Sequence, residues 1–235
     1  MNSILKSTCK AMGAGAIVTM MACTSAAQAA AISGQGTWET TLQARDLDGI
    51  VANGPEAYYD TALNLTWLAD ANYAYTSGFV SRFHGPGGNM VFGEALQWTG
   101  GLDIGGVTGW RLPTVEVGPG LVVDESTSEL SHMYSVTLGN TGSLTNTGPF
   151  LNLERHKYWL ASTESFRAVH FNTSNGSLDA LHVFKDQPDL VWAVRSGDVG
   201  RAIPISSNAP EPQSLALALV GLTLVGFLAS RRKAI

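Results

Sequence analysis

Cysteine is almost missing from this chain. The two cysteines, Cys9 and Cys23, lie in the first 30 of its 235 residues, in a segment with the features of a cleaved leader. The exported chain is therefore expected to contain no thiol, which excludes a cysteine nucleophile and a disulfide framework. The remaining part, about 180 residues, is long enough to be held together by an apolar core alone.

Positive charge is also scarce. Outside residues 1–30 and 210–235, nine Lys or Arg face 18 Asp or Glu, a net charge near −9. Binding to phosphate backbones requires clustered Lys and Arg, so we exclude nucleic acid as a partner. The same argument disfavours acidic polysaccharides, except at a local basic patch. An acidic exported domain can instead bind a divalent cation, so calcium is kept open and no other cofactor is indicated.

Sequence motifs for common enzyme chemistry are absent. No two of the five histidines have HxH or HxxxH spacing, and neither a Gly-x-Ser-x-Gly motif nor a P-loop occurs. The histidines are His84, His132, His156, His170 and His182. We therefore expect a non-enzymatic protein. The alternative is a polysaccharide-acting enzyme, because a catalytic Asp/Glu pair is defined by its separation in space and not by sequence spacing.

The first 30 residues have the composition of a secretory signal peptide. Two lysines precede a weakly apolar run over residues 11–22, and Ala27-Gln28-Ala29 forms a small-x-small cleavage site. We expect cleavage after residue 29 or 30. A lipoprotein cut before Cys23 is the alternative, although the preceding residues make a poor lipobox. The apolar run is too short to span a bilayer.

The last 26 residues have the pattern of a membrane anchor. The apolar run over 215–229 would span about 22 Å as a helix, and about 27 Å with flanking residues 213, 214 and 230, against roughly 30 Å of hydrocarbon. We predict a transmembrane helix over 214–230 with its basic end in the cytoplasm. A Pro-Glu-Pro tripeptide precedes it and a basic cluster follows it: Pro210, Glu211 and Pro212 before it, and Arg231, Arg232 and Lys233 after it.

The tripeptide, the helix and the basic cluster together resemble the PEP-CTERM sorting signal of Gram-negative bacteria. This resemblance implies an exosortase-type peptidase as the processing partner. It also implies anchoring in the inner membrane during transit, followed by delivery to the cell surface or the extracellular matrix.

Between these two ends, the pattern predicts an α+β domain. Helical spacing predicts a helix over 92–99, and a capping box at Ser126 predicts another over 126–136. The predicted strands are 37–42, 63–68 with a hairpin turn near 61–62, 158–162, 168–171, 181–184 and 190–195. Gly- and Pro-rich stretches predict loops at 76–90, 115–125 and 139–149. We divide this part into a polar leader (31–55), a domain (56–200) and a spacer (201–209).

Seven short motifs, in order, resemble the Lcl C-terminal domain family, which is named from a bacterial collagen-like adhesin. Their key residues are Trp67, Trp98, Trp110, Arg111, Leu112, Pro113, Thr114, Glu129, Leu130, Tyr158, Trp159 and Arg195. The resemblance implies a compact C-type-lectin-like fold with long loops and, as a class of function, binding to carbohydrate. In the family the Glu-Leu pair often follows the Arg-Leu-Pro-Thr motif directly, whereas here residues 115–128 intervene.

Judged by their chemistry, these motif residues are mainly structural. Trp67, Trp98, Trp110, Tyr158 and Trp159 are large apolar groups that suit a core. Arg111 and Glu129 can form an ion pair that joins a loop to a helix, and Pro113 fixes a turn. Binding of a polysaccharide or of a neighbouring surface protein is instead expected in the three loops, where exposed rings can contact sugar faces.

Three polar stretches have two interpretations each. Asp46 and Asp48 with nearby Asn53, and Asp70 with Asn72, offer oxygen ligands for calcium or form plain turns. Gln187-Pro188-Asp189 matches the sugar-binding tripeptide of galactose-type C-type lectins, but the partner carboxylates of that site are missing, which favours an ordinary turn.

Overall fold

The structure, a computed structural model, describes residues 30–119, 122–162, 168–179 and 187–203. These residues form two five-stranded sheets and four short helices, so the predicted α+β class is confirmed, with strands predominating. Within the described ranges, no helix is long and apolar enough to cross a bilayer. Residues 1–29 of the predicted signal peptide, the helix at 214–230 and the sorting residues lie outside those ranges.

The first sheet is antiparallel throughout and joins the two ends of the folded unit. Its strands, in spatial order, are β10 (Arg201–Ala202), β1 (Leu42–Asp46), β2 (Ala57–Asp60), β3 (Leu65–Leu68) and β9 (Val194–Ser196). The predicted 61–62 hairpin is present between β2 and β3, where Asn64 adopts a left-handed φ of 53°. Asn tolerates this conformation better than most residues.

The second sheet contains one parallel pair. Its order is β5 (Val123–Asp124), β4 (Thr114–Val117), β6 (Lys157–Ser162), β7 (Ala168–Asn172) and β8 (Ser177–Asp179), with β4 and β6 parallel. The predicted loop at 115–125 is wrong, because a β4–β5 hairpin occupies most of it. The predicted strand at 190–195 shortens to β9, and residues 181–184 are outside the described ranges.

The helices are short and differ from the predictions mainly at their ends. They are α1 (Trp38–Thr41), α2 (Tyr73–Thr76), α3 (Phe92–Gly100) and α4 (Glu129–His132), which continues as a π-helical turn over Met133–Thr137. Helix α3 confirms the prediction at 92–99. Ser128 caps α4, because its Oγ accepts a hydrogen bond from Ser131 N at 3.1 Å, so the helix begins later than the predicted cap at Ser126. The strand predicted at 37–42 is α1 followed by β1.

Residues of the predicted leader belong to the fold. Strand β1 pairs with β2 and β10, so the folded unit begins before residue 56 and continues into residues 201–202. Buried Asn146 also fixes the leader: its Oδ1 accepts from Ile32 N at 2.8 Å, and its Nδ2 donates to Gln35 O at 3.1 Å. Strand β1 of the predicted leader and residues 201–202 of the predicted spacer thus pair in the first sheet, while residues 204–209 lie outside the described ranges.

The core is rich in aromatic rings. Trp192 lies at its centre, with ring centroids 4.8 Å from Trp67 and 4.7 Å from Phe150, and its Nε1 donates to Leu68 O at 2.8 Å. The indole NH is thereby satisfied although the ring is buried. Four of the five motif aromatics predicted to be core are buried: Trp67, Trp110, Tyr158 and Trp159. The fifth, Trp98, is only half-buried, so part of its ring is open to solvent.

Candidate functional site

A single carboxylate holds the loop over residues 77–91, which connects α2 to α3. Glu94 is buried on α3 and accepts hydrogen bonds from Ser81 Oγ at 2.6 Å and from Arg82 N at 2.9 Å. Ser81 Oγ in turn accepts from the backbone NH groups of Phe83 and His84, at 3.2 and 3.1 Å. The loop therefore has a defined conformation because its backbone donors are satisfied by two side chains.

A surface pocket of about 210 Å³ opens between this loop and α3. We call it the ring pocket; its lining residues are Phe79, Arg82, Glu94, Gln97 and Trp98. The rings of Phe79 and Trp98 lie 6.1 Å apart at an angle of 57°, and Tyr73 supports Trp98 from 6.5 Å. The ring pocket thus combines an apolar aromatic floor with a few polar groups, the usual composition of a small-molecule site.

The polar groups of the ring pocket differ in whether they already form hydrogen bonds within the protein. Both oxygens of Glu94 accept hydrogen bonds from the loop. Arg82 and Gln97 are exposed, and neither side chain forms a hydrogen bond or an ion pair with another described residue. The donors of Arg82 and the amide of Gln97 are therefore available to a ligand.

Exposed apolar side chains cluster along the same segment. Of the ten large hydrophobic residues that are exposed in the described ranges, four lie between residues 75 and 96: Tyr75, Val80, Phe83 and Leu96. Phe83, on the loop held by Glu94, is 69% exposed. Val80 and Phe83 are next in sequence to the pocket residues Phe79 and Arg82.

A second pocket lies beside α4 and has a different chemistry. It measures about 330 Å³ and is lined by Glu125, Ser126, Ser131, His132, Ser135 and Val136. Two buried atoms of this lining, Ser131 Oγ and His132 Nε2, have no hydrogen-bond partner among the described residues. Adjacent residues on a helix do not face each other, so Ser131 and His132 do not form a nucleophile–base pair.

The predicted ion pair of the motif residues connects three elements of the fold. Arg111 donates from Nη1 and Nη2 to the two carboxylate oxygens of Glu129 at 2.7 and 2.8 Å, which confirms the predicted pair. Thr114 N also donates to Glu129 at 2.7 Å, while the backbone of Arg111 pairs with Val194. This arrangement joins α4, the start of β4 and β9 at one point, away from the lining of the ring pocket.

Other motif residues are buried or form hydrogen bonds within the fold. Leu112 and Leu130 are buried, and Pro113 O accepts from Ala161 N at 2.8 Å. Arg195 Nε donates to Thr108 O at 2.6 Å.

Asp189 of the Gln-Pro-Asp tripeptide is buried in the protein. It is 4% exposed, and its Oδ2 lies 3.3 Å from His170 Nδ1. Its backbone pairs with Met90. A lectin-type calcium ligand must be open to ion and sugar, so this geometry agrees with the ordinary turn.

Asp70 holds a turn, and no group of three possible metal ligands found among the described residues includes it. Its Oδ1 accepts from Asn72 N at 2.8 Å, and its Oδ2 accepts from Thr76 Oγ at 2.7 Å and Asn152 Nδ2 at 2.9 Å. Both carboxylate oxygens are satisfied by protein donors.

Burial changes the acidity of three tyrosines. Desolvation raises the pKa of Tyr134 to about 12, although the charge of Arg155 opposes the shift. Its hydroxyl lies within hydrogen-bonding distance of Gly142 O and of Thr173 O, at 2.5 and 3.0 Å. Burial likewise raises the pKa of Tyr58 and that of Tyr158. None of these three tyrosines lines either pocket.

Part of the ring pocket can be predicted from the sequence. Composition predicts the 76–90 loop and the motif residues include Trp98, but no local pattern singles out Arg82 or Gln97. They join the pocket only because Glu94 fixes the loop against α3.

Comparison with known proteins identifies the sorting signal but finds no match for the folded domain. Residues 208–233 match the PEP-CTERM protein-sorting motif. No curated protein and no solved structure matches the chain. The motif supports export by membrane-anchored sorting and implies exosortase as the processing partner, in agreement with the sequence analysis.

Proposed function

We propose that the exported domain is a non-enzymatic module that binds polysaccharide in the ring pocket, at the cell surface or in the extracellular matrix. The observation that carries this proposal is the pairing of an aromatic floor, Phe79 and Trp98, with the uncommitted polar groups of Arg82 and Gln97. The PEP-CTERM match supports the route by which the domain would reach its ligand.

The pocket chemistry suits a sugar ring. A ring face that carries C–H groups packs on an aromatic floor, while hydroxyl groups hydrogen-bond to planar polar side chains at the edge. A volume of about 210 Å³ lies below the usual range for drug-sized ligands, about 300–1,000 Å³, which favours one sugar unit of a longer chain. The exposed apolar residues nearby, such as Phe83 and Val80, would contact neighbouring units.

We further propose that the folded unit is an Lcl C-terminal-like domain of C-type-lectin-like type. The support is the order of its seven motifs and its combination of two sheets, short helices and long loops. The residues inserted after the Arg-Leu-Pro-Thr motif form the β4–β5 hairpin, so this departure from the family extends a sheet.

Catalysis on polysaccharide remains the alternative proposal, and the pockets give it less support than binding. The ring pocket is lined by one carboxylate, Glu94, whose oxygens are both engaged, and the pocket beside α4 is also lined by one, Glu125. Glycoside hydrolysis generally uses two carboxyl groups about 5–10 Å apart across the substrate.

The test is glycan binding by the full-length protein and matched variants. We expect binding to at least one polysaccharide of a neutral and acidic panel, measured with and without calcium. Arg82→Ala and Gln97→Ala should each weaken that binding, and the double variant by roughly 5–100-fold, because each loses hydrogen bonds worth about 0.5–1.5 kcal/mol. Arg201→Ala removes an exposed arginine from β10 and serves as the charge-matched control.

Three outcomes would contradict the proposal. They are no binding across the panel, wild-type affinity in the Arg82→Ala/Gln97→Ala variant, or an equal loss in Arg201→Ala. Release of new reducing ends from a bound polysaccharide would establish the enzymatic alternative instead.

A further inference from the structure

Three carboxylates meet at the turn between β1 and β2. Asp46, Asp48 and Glu56 each place a carboxylate oxygen within 4.8 Å of the other two. Asp46 is 2% exposed, Glu56 is half-buried and Asp48 is exposed, so the cluster runs from the interior to solvent. Sequence spacing suggested Asp46 and Asp48, but Glu56 joins them only through the pairing of β1 with β2.

The turn holds each carboxylate by one backbone NH group. Gly49 N donates to Asp46 Oδ1 at 2.7 Å, Ile50 N to Asp48 Oδ1 at 2.8 Å, and Leu47 N to Glu56 Oε2 at 2.9 Å. Asn53, the third oxygen ligand suggested by the sequence, instead uses its Nδ2 to donate to Asp48 Oδ2 at 2.9 Å.

The other oxygen of Asp46 is the unusual feature. Asp46 Oδ2 is buried and has no hydrogen-bond partner among the described residues. No Lys or Arg in the described ranges forms an ion pair with any of the three carboxylates, and neighbouring Arg45 is bound to Asp198 at 2.6 and 2.9 Å. A buried, unpaired carboxylate oxygen beside two further carboxylates is unfavourable unless a cation compensates it.

We propose that Asp46, Asp48 and Glu56 bind a calcium ion. Asp46 Oδ2 supplies the inner ligand, Glu56 and Asp48 supply the others, and water completes the coordination on the exposed side. An all-oxygen set of ligands selects a hard cation, and calcium accepts the irregular, partly hydrated geometry that a turn provides more readily than magnesium does.

Two glycines hold the turn rigid enough for this role. A Cβ on Gly105 would lie 2.1 Å from Leu47 O, and a Cβ on Gly200 would lie 2.8 Å from Asp46 O. The backbones of two distant loops therefore pack directly against residues 46–48. Both glycines also have positive φ angles, 61° and 86°, which favour glycine. Preorganised ligands reduce the ordering cost of binding an ion.

The test is calorimetric titration of the full-length protein with CaCl₂ and, separately, with MgCl₂. We expect one calcium ion per chain with a Kd of about 10⁻⁴–10⁻³ M, the range of extracellular modules, and a rise in Tm on adding calcium. Asp48→Asn should weaken calcium at least tenfold while it keeps an acceptor for Ile50 N. Asp124→Asn is the matched control, since Asp124 Oδ1 accepts from Ser126 N in a turn outside the cluster.

Asp46→Asn separates loss of the ion from loss of the fold. It removes the uncompensated charge, so its Tm without calcium should equal or exceed that of the wild type, whereas calcium should no longer raise it. The proposal is overturned by the absence of saturable calcium binding up to about 10 mM, or by equal affinity in Asp48→Asn and wild type. Equal loss in Asp124→Asn, or binding of magnesium as tight as calcium, also overturns it.

Discussion

The Arg111–Glu129 ion pair gives the sharpest stability prediction. Arg111 makes two charge-assisted hydrogen bonds to Glu129 and further bonds to Leu112 O and Ser196 Oγ, at 3.0 and 3.1 Å. Glu129 also holds Thr114 N. We consider Arg111→Met, Glu129→Gln and the double variant, which remove the charges while they keep most of the side-chain volume.

Burial sets the expected magnitude. The side chains of Arg111 and Glu129 are 32% and 16% exposed, between a surface pair worth about 0–1 kcal/mol and a fully buried pair whose disruption costs about 3–5 kcal/mol. We therefore expect each single variant to lose ~2–3 kcal/mol of unfolding free energy, or ~5–10 °C in Tm for a domain of this size. The coupling energy should be ~1–2 kcal/mol, so the double variant loses less than the sum of the two singles.

Urea denaturation of the four proteins measures this coupling. The m-values should agree across the set, which shows that the substitutions change stability and not the extent of unfolding. A coupling energy under ~0.5 kcal/mol would refute the reasoning, since the two side chains would then act independently despite their bidentate geometry.

Two further predictions test the packing of the leader and the buried tyrosines. Gly36→Ala should cost ~2–4 kcal/mol, because its Cβ would lie 2.3 Å from Thr137 O at a φ of 74°. Gly34→Ala, at a φ of 75° with open space around it, should cost only ~1–2 kcal/mol in the same denaturation assay, and equal costs would show that the leader is not packed there. Because Tyr134 has a pKa of about 12 in the folded chain against 10.0 unfolded, its contribution is intact below pH 10 and is lost as pH rises from 10 to 12. Tyr134→Phe should therefore flatten the fall of Tm above pH 10, and an unchanged slope would contradict this assignment.

Local patterns predicted the elements whose partners are near in sequence. The 61–62 hairpin, helix α3 and strands β6 and β7 have amphipathic or alternating patterns that fix their type without knowledge of the rest of the chain. The elements missed lack a clear pattern in their own residues. Strand β1 ends in Arg45 and Asp46, which are buried although they are charged, and the β4–β5 hairpin lies in a Gly- and Pro-rich stretch that is typical of a loop.

The same distinction applies to the candidate sites. The Arg111–Glu129 pair was accessible from the sequence because two opposite charges stood in motifs that resembled one family. The sequence predicted two of the three carboxylates of the calcium cluster, since Asp46 and Asp48 share a turn. Glu56 could not be predicted, because it reaches them only through the pairing of β1 with β2. The ring pocket needs Glu94 to anchor a loop 12 residues earlier, which is a contact that spacing alone does not reveal.

The pairing of β10 with β1 also limits how far the folded body can stand from the start of the sorting motif. The last described residue, Ile203, is five residues from residue 208, where the sorting motif begins. An extended chain covers at most about 18 Å over that distance. A peptidase that cuts at the start of this motif would therefore act within about 18 Å of the edge of the first sheet, and inserting a flexible stretch after Ile203 should then speed cleavage.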